Sequence, residues 1–262
     1  MSFRNKIIVI TGAGTGIGQA CARRLAAEGA RLVLIGRRAA MLEAVAAETG
    51  GLTLAGDAAS SDDWQRMLAS ILQHYGAIDG LVACAGGMGQ GDILQTDDAQ
   101  WQQAMAANLG TAFASARACL PALKQRRGSI VLLASIASLA AGPGVCGYTT
   151  AKHGLLGLMR SLARDVGPDG VRVNAVCPGW VRTPMADEEM QPLMAHYGDS
   201  LDQAYQRVTA DVPLRRPAEA HEIASICRFL MSDEAAILTG ASIVADGGAS
   251  IVDVPTLAFT RI

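Results

Sequence analysis

Residues 7–18 read Ile7-Ile8-Val9-Ile10-Thr11-Gly12-Ala13-Gly14-Thr15-Gly16-Ile17-Gly18. A β-branched run without polar interruption is the pattern of a strand covered on both faces. The glycines behind it permit a tight turn and let the backbone approach a pyrophosphate, which then sits against free N–H groups at the start of the following helix. The spacing is G-x-x-x-G-x-G, carried by Gly12, Gly16 and Gly18; the G-x-G-x-x-G fingerprint is not met, because positions 17 and 19 are Ile and Gln. A Gly-rich turn alone is weak evidence. Its place between a first strand and a first helix is what points to a nucleotide.

The same alternation continues outward. Ile7–Thr11, Arg31–Ile35, Leu52–Ala55, Gly80–Ala83, Ser129–Ala134, Val171–Val176 and Ser242–Ala245 each have the pattern of a buried strand. Helical windows lie between them at Gly18–Glu28, Ala39–Glu48, Asp62–Tyr75, Ala99–Leu123, Gly147–Val166 and Ala218–Met231. Ser60-Ser61-Asp62 and Thr96-Asp97-Asp98 supply N-caps, and Gly29, Gly50, Gly76 and Gly167 stand at or near helix ends. The class is therefore α/β, with one doubly wound parallel sheet of about seven strands and helices on both faces, filling residues 1–262 as a single domain. One segment breaks the rhythm. Residues 179–217 carry Pro184, Pro192, Pro213 and Pro217 and are too long for an ordinary loop. They follow a strand's carboxyl end, where ligands bind in such sheets, and are expected to cover the substrate, with some helix around Asp187–His196 and Asp202–Asp211.

Bulk properties exclude several classes. A formal charge of −2 leaves no electrostatic footprint for nucleic acid. No stretch has the length and apolarity of a membrane span, and the first residues lack the h-region of a signal peptide, so a soluble, cytoplasmic protein is expected. The six cysteines are scattered and the four histidines do not cluster, so no metal site is expected.

Two further places carry chemistry. The second strand ends Gly36-Arg37-Arg38, where an acid would grip a ribose 2′-OH. Gly36 leaves room for a 2′-phosphate and Arg37 offers it a guanidinium, which favours NADP over NAD; alternatively, both arginines simply open the next helix on the surface. Asp57, after the third strand, is either an adenine-edge contact or a strand-end cap. Tyr148-x-x-x-Lys152 places a phenol and an ammonium one turn apart on one helix face, after a loop that is almost uncharged. A phenol of pKa about 10 is a poor base near neutrality. A cation at about 5 Å in an effective dielectric of about 20 contributes roughly 3 kcal/mol, about two pKa units, and an oxidised nicotinamide adds to this. Tyr148 then serves as general acid in reduction and base in oxidation, while Ser135, at a strand end, donates to the carbonyl oxygen.

Taken in order, Thr11–Gly18, Asp57, Ala85-Gly86, Asn108, Ser135, Tyr148-x-x-x-Lys152, Pro178-Gly179 with Thr183, and Asp246-Gly247-Gly248 resemble the short-chain dehydrogenase/reductase family from about Lys6 to Gly248. The resemblance implies a Rossmann fold and an NADP- or NAD-dependent oxidoreductase of ketones and secondary alcohols. It implies cofactor contacts from Gly12, Thr15, Gly16, Ile17, Gly18, Arg37, Asp57, Ala85, Gly86, Pro178, Gly179, Val181 and Thr183, as well as Tyr148 and Lys152. It implies that Asn108 joins Ser135, Tyr148 and Lys152 in catalysis by holding a water in a proton relay. It also implies a homotetramer or homodimer. The family's usual N-N-A-G is here Ala83-Cys84-Ala85-Gly86, which puts the local geometry in question.

The residues expected near the substrate are Met88, Leu139, Cys146, Trp180, Met185, Met190, Met194 and Tyr197, fitting a mid-sized, rather apolar ketone or alcohol; the same residues could be core beneath the lid. Asp187, Glu188 and Glu189 do not favour a highly anionic substrate, whereas Arg207, Arg215 and Arg216 keep a 3-oxoacyl thioester reductase in view. A non-catalytic nucleotide-binding protein on the same fold is the rival from another class.

Overall fold

The computed structural model describes residues 3–261; Met1, Ser2 and Ile262, at the ends of the expected domain, lie outside the described residues. Seven parallel strands form the central sheet: β1 (Ile7–Thr11), β2 (Arg31–Gly36), β3 (Leu52–Ala55), β4 (Gly80–Ala83), β5 (Ser129–Leu133), β6 (Arg172–Pro178) and, last in sequence, Ser242–Ala245. Two short strands, β7 (Val181–Arg182) and β8 (Ala218–Glu219), pair separately, so the last strand is β9. The sheet order is β3-β2-β1-β4-β5-β6-β9, which reverses direction between β1 and β4. The crevice at their carboxyl ends is where such sheets bind ligands.

The continuous apolar runs have a simple cause. Side chains alternate across a strand, and in β1, β2, β4, β5 and β6 both sets are buried. The edge strands β3 and β9, also expected to be buried, are only partly covered because each has a neighbour on one side alone. Val9, Val33, Leu81, Ile130 and Val173 enter one core with α3 (Ser61–Tyr75), α5 (Thr111–Arg126) and α6 (Cys146–Val166). Ile8, Ile10, Leu34, Val82 and Val131 enter the other with α1 (Gly16–Ala26), α2 (Ala39–Thr49) and, from Ile223 to Leu230, the last long helix, Ala220–Met231. Gly50 and Gly76 close α2 and α3 in the left-handed conformation that their lack of Cβ favours.

Three expectations are corrected. The helix expected over Ala99–Leu123 is two, α4 (Asp98–Met105) and α5, joined by a π-helical turn at Ala106–Gly110. The Asn108 amide donates to the Ala104 carbonyl (3.0 Å) and the Thr111 hydroxyl to that of Ala107 (2.9 Å). Such side-chain bonds to the preceding turn compete with the regular ladder, and π-bulges concentrate at functional sites. The last long helix begins at Ala220, because Ala218–Glu219 is spent in β8. Within 179–217, α7 (Pro184–Tyr197) and α8 (Leu201–Val208) are longer and shorter, respectively, than expected; the last long helix is thus α9. These two helices have a small core of their own, in which Ala186, Met190, Ala204 and Tyr205 are buried.

Asp79 fastens the first strand to the rest. Its carboxylate accepts the Ile7 N–H (2.9 Å) and the Arg126 Nε (3.0 Å) and lies 3.7 Å from Lys6 Nζ. Removing a buried acceptor strands its donors. Asp79→Ala is expected to lower unfolding stability by about 2–3 kcal/mol in urea titration; a change below about 0.5 kcal/mol would contradict this role.

Candidate active site

The first turn is built by close backbone approach. Gly12 has φ +66°, and a Cβ there would lie 2.9 Å from the Ala85 nitrogen at the end of β4. A Cβ on Gly18 would run into the Gly12 carbonyl. The Thr11 hydroxyl accepts the Ala85 N–H at 3.1 Å and Ala13 N–H reaches the Ile35 carbonyl at 3.2 Å, closing the turn against both neighbouring strands. Thr15 is the N-cap of α1 but makes no side-chain cap bond, and the first turn holds no acidic residue. Unfilled backbone N–H groups with no competing carboxylate suit an anion. The cradle therefore fits a dinucleotide, and β2 ends beside it.

At that end the two arginines differ. Both are exposed, but Arg38 reaches back so that its Nη2 lies 3.5 Å from Thr15 Oγ1. Arg38 is thus the guanidinium nearer the phosphate turn, a position that two adjacent arginines did not distinguish in the sequence. The exposed Asp57 spends one carboxylate oxygen on the Ala59 N–H (2.9 Å), as a local turn cap does.

On the other side of the switch, β4 delivers Gly86 and Gly87 to the centre. Gly87 N–H donates to Asn108 Oδ1 at 3.2 Å, and a Cβ on Gly86 would lie 3.2 Å from that oxygen and 3.8 Å from Lys152 Nζ. Lys152 is buried and donates to the Leu133 carbonyl at 2.9 Å, at the very end of β5. Its Nζ stands 5.6 Å from the centroid of the Tyr148 ring. Ser135, two residues beyond β5, is fixed by the Ala137 N–H (3.1 Å), and its hydroxyl is near enough to the Tyr148 phenol to lower that group's proton affinity. The start of α6 is held by the Gly91 and Gly144 loops, where Gly91 N–H meets Gly144 O at 2.7 Å and Cys146 N–H meets Gly91 O at 3.2 Å. Asn108, Ser135, Tyr148 and Lys152 thus come together.

The electrostatics depart from the simple expectation. Burial holds the Tyr148 phenol above its ordinary range; the bond from Ser135 acts in the opposite direction and the charge of Glu189 adds to the rise. Burial brings Lys152 down to about 8, with Cys84 and Cys177 acting weakly the other way. The protein alone therefore does not depress the tyrosine.

A model of the family described as enoyl-(acyl carrier protein) reductase matches residues 12–250. The chain is 55% identical to Protein MoaE of Klebsiella aerogenes, over 97% of this chain and 99% of that one. It is 35% identical to meso-2,3-butanediol dehydrogenase of Serratia marcescens, over 97% and 98% of the two chains. The chain belongs to the short-chain dehydrogenase/reductase family. L-sorbose reductase of Gluconobacter frateurii, solved with NADPH and L-sorbose, superposes with a TM-score of 0.89 at 30% identity, covering 95% of this chain and 97% of that one.

Against that family pattern, the loss of two asparagines at Ala83-Cys84 leaves the β1–β4 joint closed, since Thr11 and Ala85 hold it. At the far end of the cofactor crevice, Gly179 follows β6 with room for no Cβ beside Asp246 (3.0 Å), Val181 is buried, and Thr183 caps α7 through the Ala186 N–H (3.3 Å). The Thr183 methyl lies against Gly16, where a Cβ would be 3.1 Å away, so this oxidoreductase's excursion is seated on the phosphate turn. The expected pocket is partly corrected. Met190 is fully buried, and Trp180 and Met194 pack against the α7–α8 core, so these three hold the excursion together. Leu139, Met185 and Tyr197 are exposed. Met88 lines a cleft of about 240 Å³ with Gln90, Thr96, Gln100 and Gln103, against Gly147 and behind the Tyr148 backbone.

Lys152 allows a test independent of turnover. Its folded-state value, about 8, lies below the unfolded value of 10.5, so between these limits the unfolded chain holds more protons and stability rises with pH. Relative to Lys152→Met, the wild type is expected to gain about 1 kcal/mol between pH 7 and pH 9. Parallel urea-midpoint curves for the two proteins would refute the buried ammonium.

Proposed function

We propose that this protein is an NADP-preferring reductase or dehydrogenase that interconverts a ketone and a secondary alcohol, with Tyr148 as general acid and base. The observation that carries the reading is the meeting of the Tyr148 ring and the buried Lys152 ammonium, 5.6 Å apart, beside a glycine cradle that fits a dinucleotide. Gly12, Thr15, Gly16, Ile17 and Gly18 hold the pyrophosphate, Ala85 and Gly86 border the crevice, and Pro178, Gly179, Val181 and Thr183 flank the nicotinamide end. The bound nicotinamide supplies or accepts the hydride.

In oxidation, Tyr148 takes the alcohol's O–H proton; in reduction, it returns one to the carbonyl oxygen. Ser135 donates to that oxygen and holds it in line with the phenol. Since burial alone keeps Tyr148 protonated, the free protein is poised as an acid, and base catalysis needs added positive charge beside the phenol. Lys152, fixed by Leu133 O, orients the ribose and supplies part of that charge. Asn108 is locked by Gly87 and Ala104, and positions a water between Lys152 and solvent. NADP preference rests on Arg37 and Arg38 about the open Gly36, with Arg38 the nearer to the turn; the NADPH held by L-sorbose reductase is in keeping with it.

A small substrate is favoured over a carrier-bound thioester. Arg207 pairs with Asp199 (2.8 Å), Arg216 with Glu222 (2.7 Å) and Arg215 with Asp211 (3.9 Å), so the three arginines that would greet a phosphorylated carrier are engaged. The excursion at 179–217 serves as the lid over the substrate, and the protein acts in the cytoplasm as a homotetramer or homodimer, as its family resemblance implies.

A panel of ketones and alcohols assayed with NADPH, NADH and their oxidised forms tests this reading. Tyr148→Phe is expected to reduce kcat by about 10²- to 10⁴-fold while retaining nucleotide binding; undiminished turnover would exclude the assigned acid. In nucleotide titrations, replacing Arg37 and Arg38 together with Gln is expected to weaken NADPH about 10- to 100-fold and NADH little. Equal losses for both nucleotides would remove the 2′-phosphate assignment.

A further inference from the structure

Beyond Ala83 the chain leaves the sheet, and Ala85, Gly86 and Gly87 have no polar side chain with which to fix their own backbone. They are nonetheless held by side chains of other elements. Thr11 accepts the Ala85 N–H at 3.1 Å, and Asn108 accepts the Gly87 N–H at 3.2 Å. The third bond comes from Thr111, whose hydroxyl donates to the Ala85 carbonyl at 3.2 Å. Thr111 is buried, the first residue of α5, and follows Asn108 by about one turn.

The same hydroxyl also reaches the Ala107 carbonyl at 2.9 Å, inside the π-helical turn. A hydroxyl has one proton to donate, so the two carbonyls share it. A threonine or serine within a helix ordinarily spends that proton on its own preceding turn. Ser115, one turn further along α5 and also buried, does so with the Thr111 carbonyl. Thr111 differs because a second acceptor, on another element, lies within its reach.

The effect falls on the peptide between Ala85 and Gly86. A planar trans peptide points its C=O and N–H in opposite directions. With the Ala85 carbonyl drawn to α5, the Gly86 N–H is turned away from α5, and no described residue accepts it. Gly86 lacks the Cβ that confines other residues, so the plane has little else to resist its rotation. Room there is short: a Cβ on Gly86 would come 3.2 Å from Asn108 Oδ1 and 3.8 Å from Lys152 Nζ. A rotated plane would therefore disturb the surroundings of both.

We propose that Thr111 is a positioning residue for the redox reaction: its hydroxyl fixes the Ala85–Gly86 peptide, and with it the wall of the nucleotide crevice beside Asn108 and Lys152. The proposal rests on the alcohol–ketone reading above, in which Ala85 and Gly86 border that crevice. It gives α5 a part in the site through a group that touches no reacting atom.

Three variants of the full chain decide it. Thr111→Val keeps the shape and removes the proton, Thr111→Ser keeps the proton, and Ser115→Ala removes a buried hydroxyl from the same helix that has no bond to β4 or its loop. In calorimetry, Thr111→Val is expected to weaken binding of NADPH and NADH alike about 5- to 20-fold, and Thr111→Ser to restore it to within about twofold. Ser115→Ala is expected to lower the melting temperature as Thr111→Val does, yet to leave nucleotide binding within about twofold of the wild type. Wild-type binding in Thr111→Val overturns the proposal. So does a serine variant as impaired as the valine one, which would make the methyl group the cause, or an equal loss in Ser115→Ala, which would make it general loosening of α5. Where Thr111→Val does not fold, Thr111→Ala takes its place; if neither folds, the hydroxyl serves the fold alone and the proposal falls. A wild type that turns over no alcohol or ketone of the panel, while its nucleotide binding responds to Thr111 as stated, sinks the oxidoreductase reading and leaves Thr111 its place at the nucleotide crevice.

Discussion

The site depends on one close approach of backbone to backbone. The turn after β1 lies so tightly against the end of β4 that a side chain at Gly12 would meet the Ala85 nitrogen, and Gly18 lies as closely on Gly12. That contact does more than make room for a phosphate. It fixes where Gly86 and Gly87 emerge, and the Gly87 N–H then fixes Asn108, whose amide opens the π-helical turn. Fold and site are thus set by the same few atoms, which explains why glycine is needed in a place where it weakens the local chain.

A second constraint is electrostatic. Lys152 keeps an ammonium in a buried setting, where it donates to the Leu133 carbonyl. Burial draws its pKa down to about 8 and draws that of Tyr148 up, so desolvation disfavours the charged form of each group. Positive charge brought beside the pair would favour the ionised phenol. The same low dielectric that penalises the lone ammonium then magnifies the effect of any charge introduced. The expectation that Lys152 alone lowers the tyrosine treated the site as an isolated pair at 5 Å and omitted desolvation. Here desolvation prevails.

Much of this was legible in the sequence because its causes are local. Strands covered on both faces leave uninterrupted Val, Ile and Leu runs, and all seven were found within a residue or two of their ends. Tyr148 and Lys152 share a face because four residues make one helical turn. What was not legible depends on contacts between distant segments. The break at Ala106–Gly110 arises from what Asn108 does with Gly87, twenty-one residues away. Arg38 rather than Arg37 turns toward Thr15, a matter of backbone direction that identical neighbours cannot reveal. Met190, Trp180 and Met194 were candidates for the pocket wall because an apolar residue in a lid has the same pattern whether it faces substrate or its own core.

The excursion repeats that lesson at the level of design. Its helices are tied by their own buried tyrosine, their own ion pairs and the β7–β8 ladder, so it behaves as a unit resting on the sheet at few points. One of these is Thr183 on Gly16, which joins it to the phosphate turn and not to the catalytic helix. Ser135, Tyr148 and Lys152 come from the end of β5 and from α6, the glycine turn lies between β1 and α1 against the end of β4, and the excursion is built on α7 and α8. With these parts on separate elements, the excursion keeps a core of its own apart from the packing that brings Tyr148 and Lys152 together.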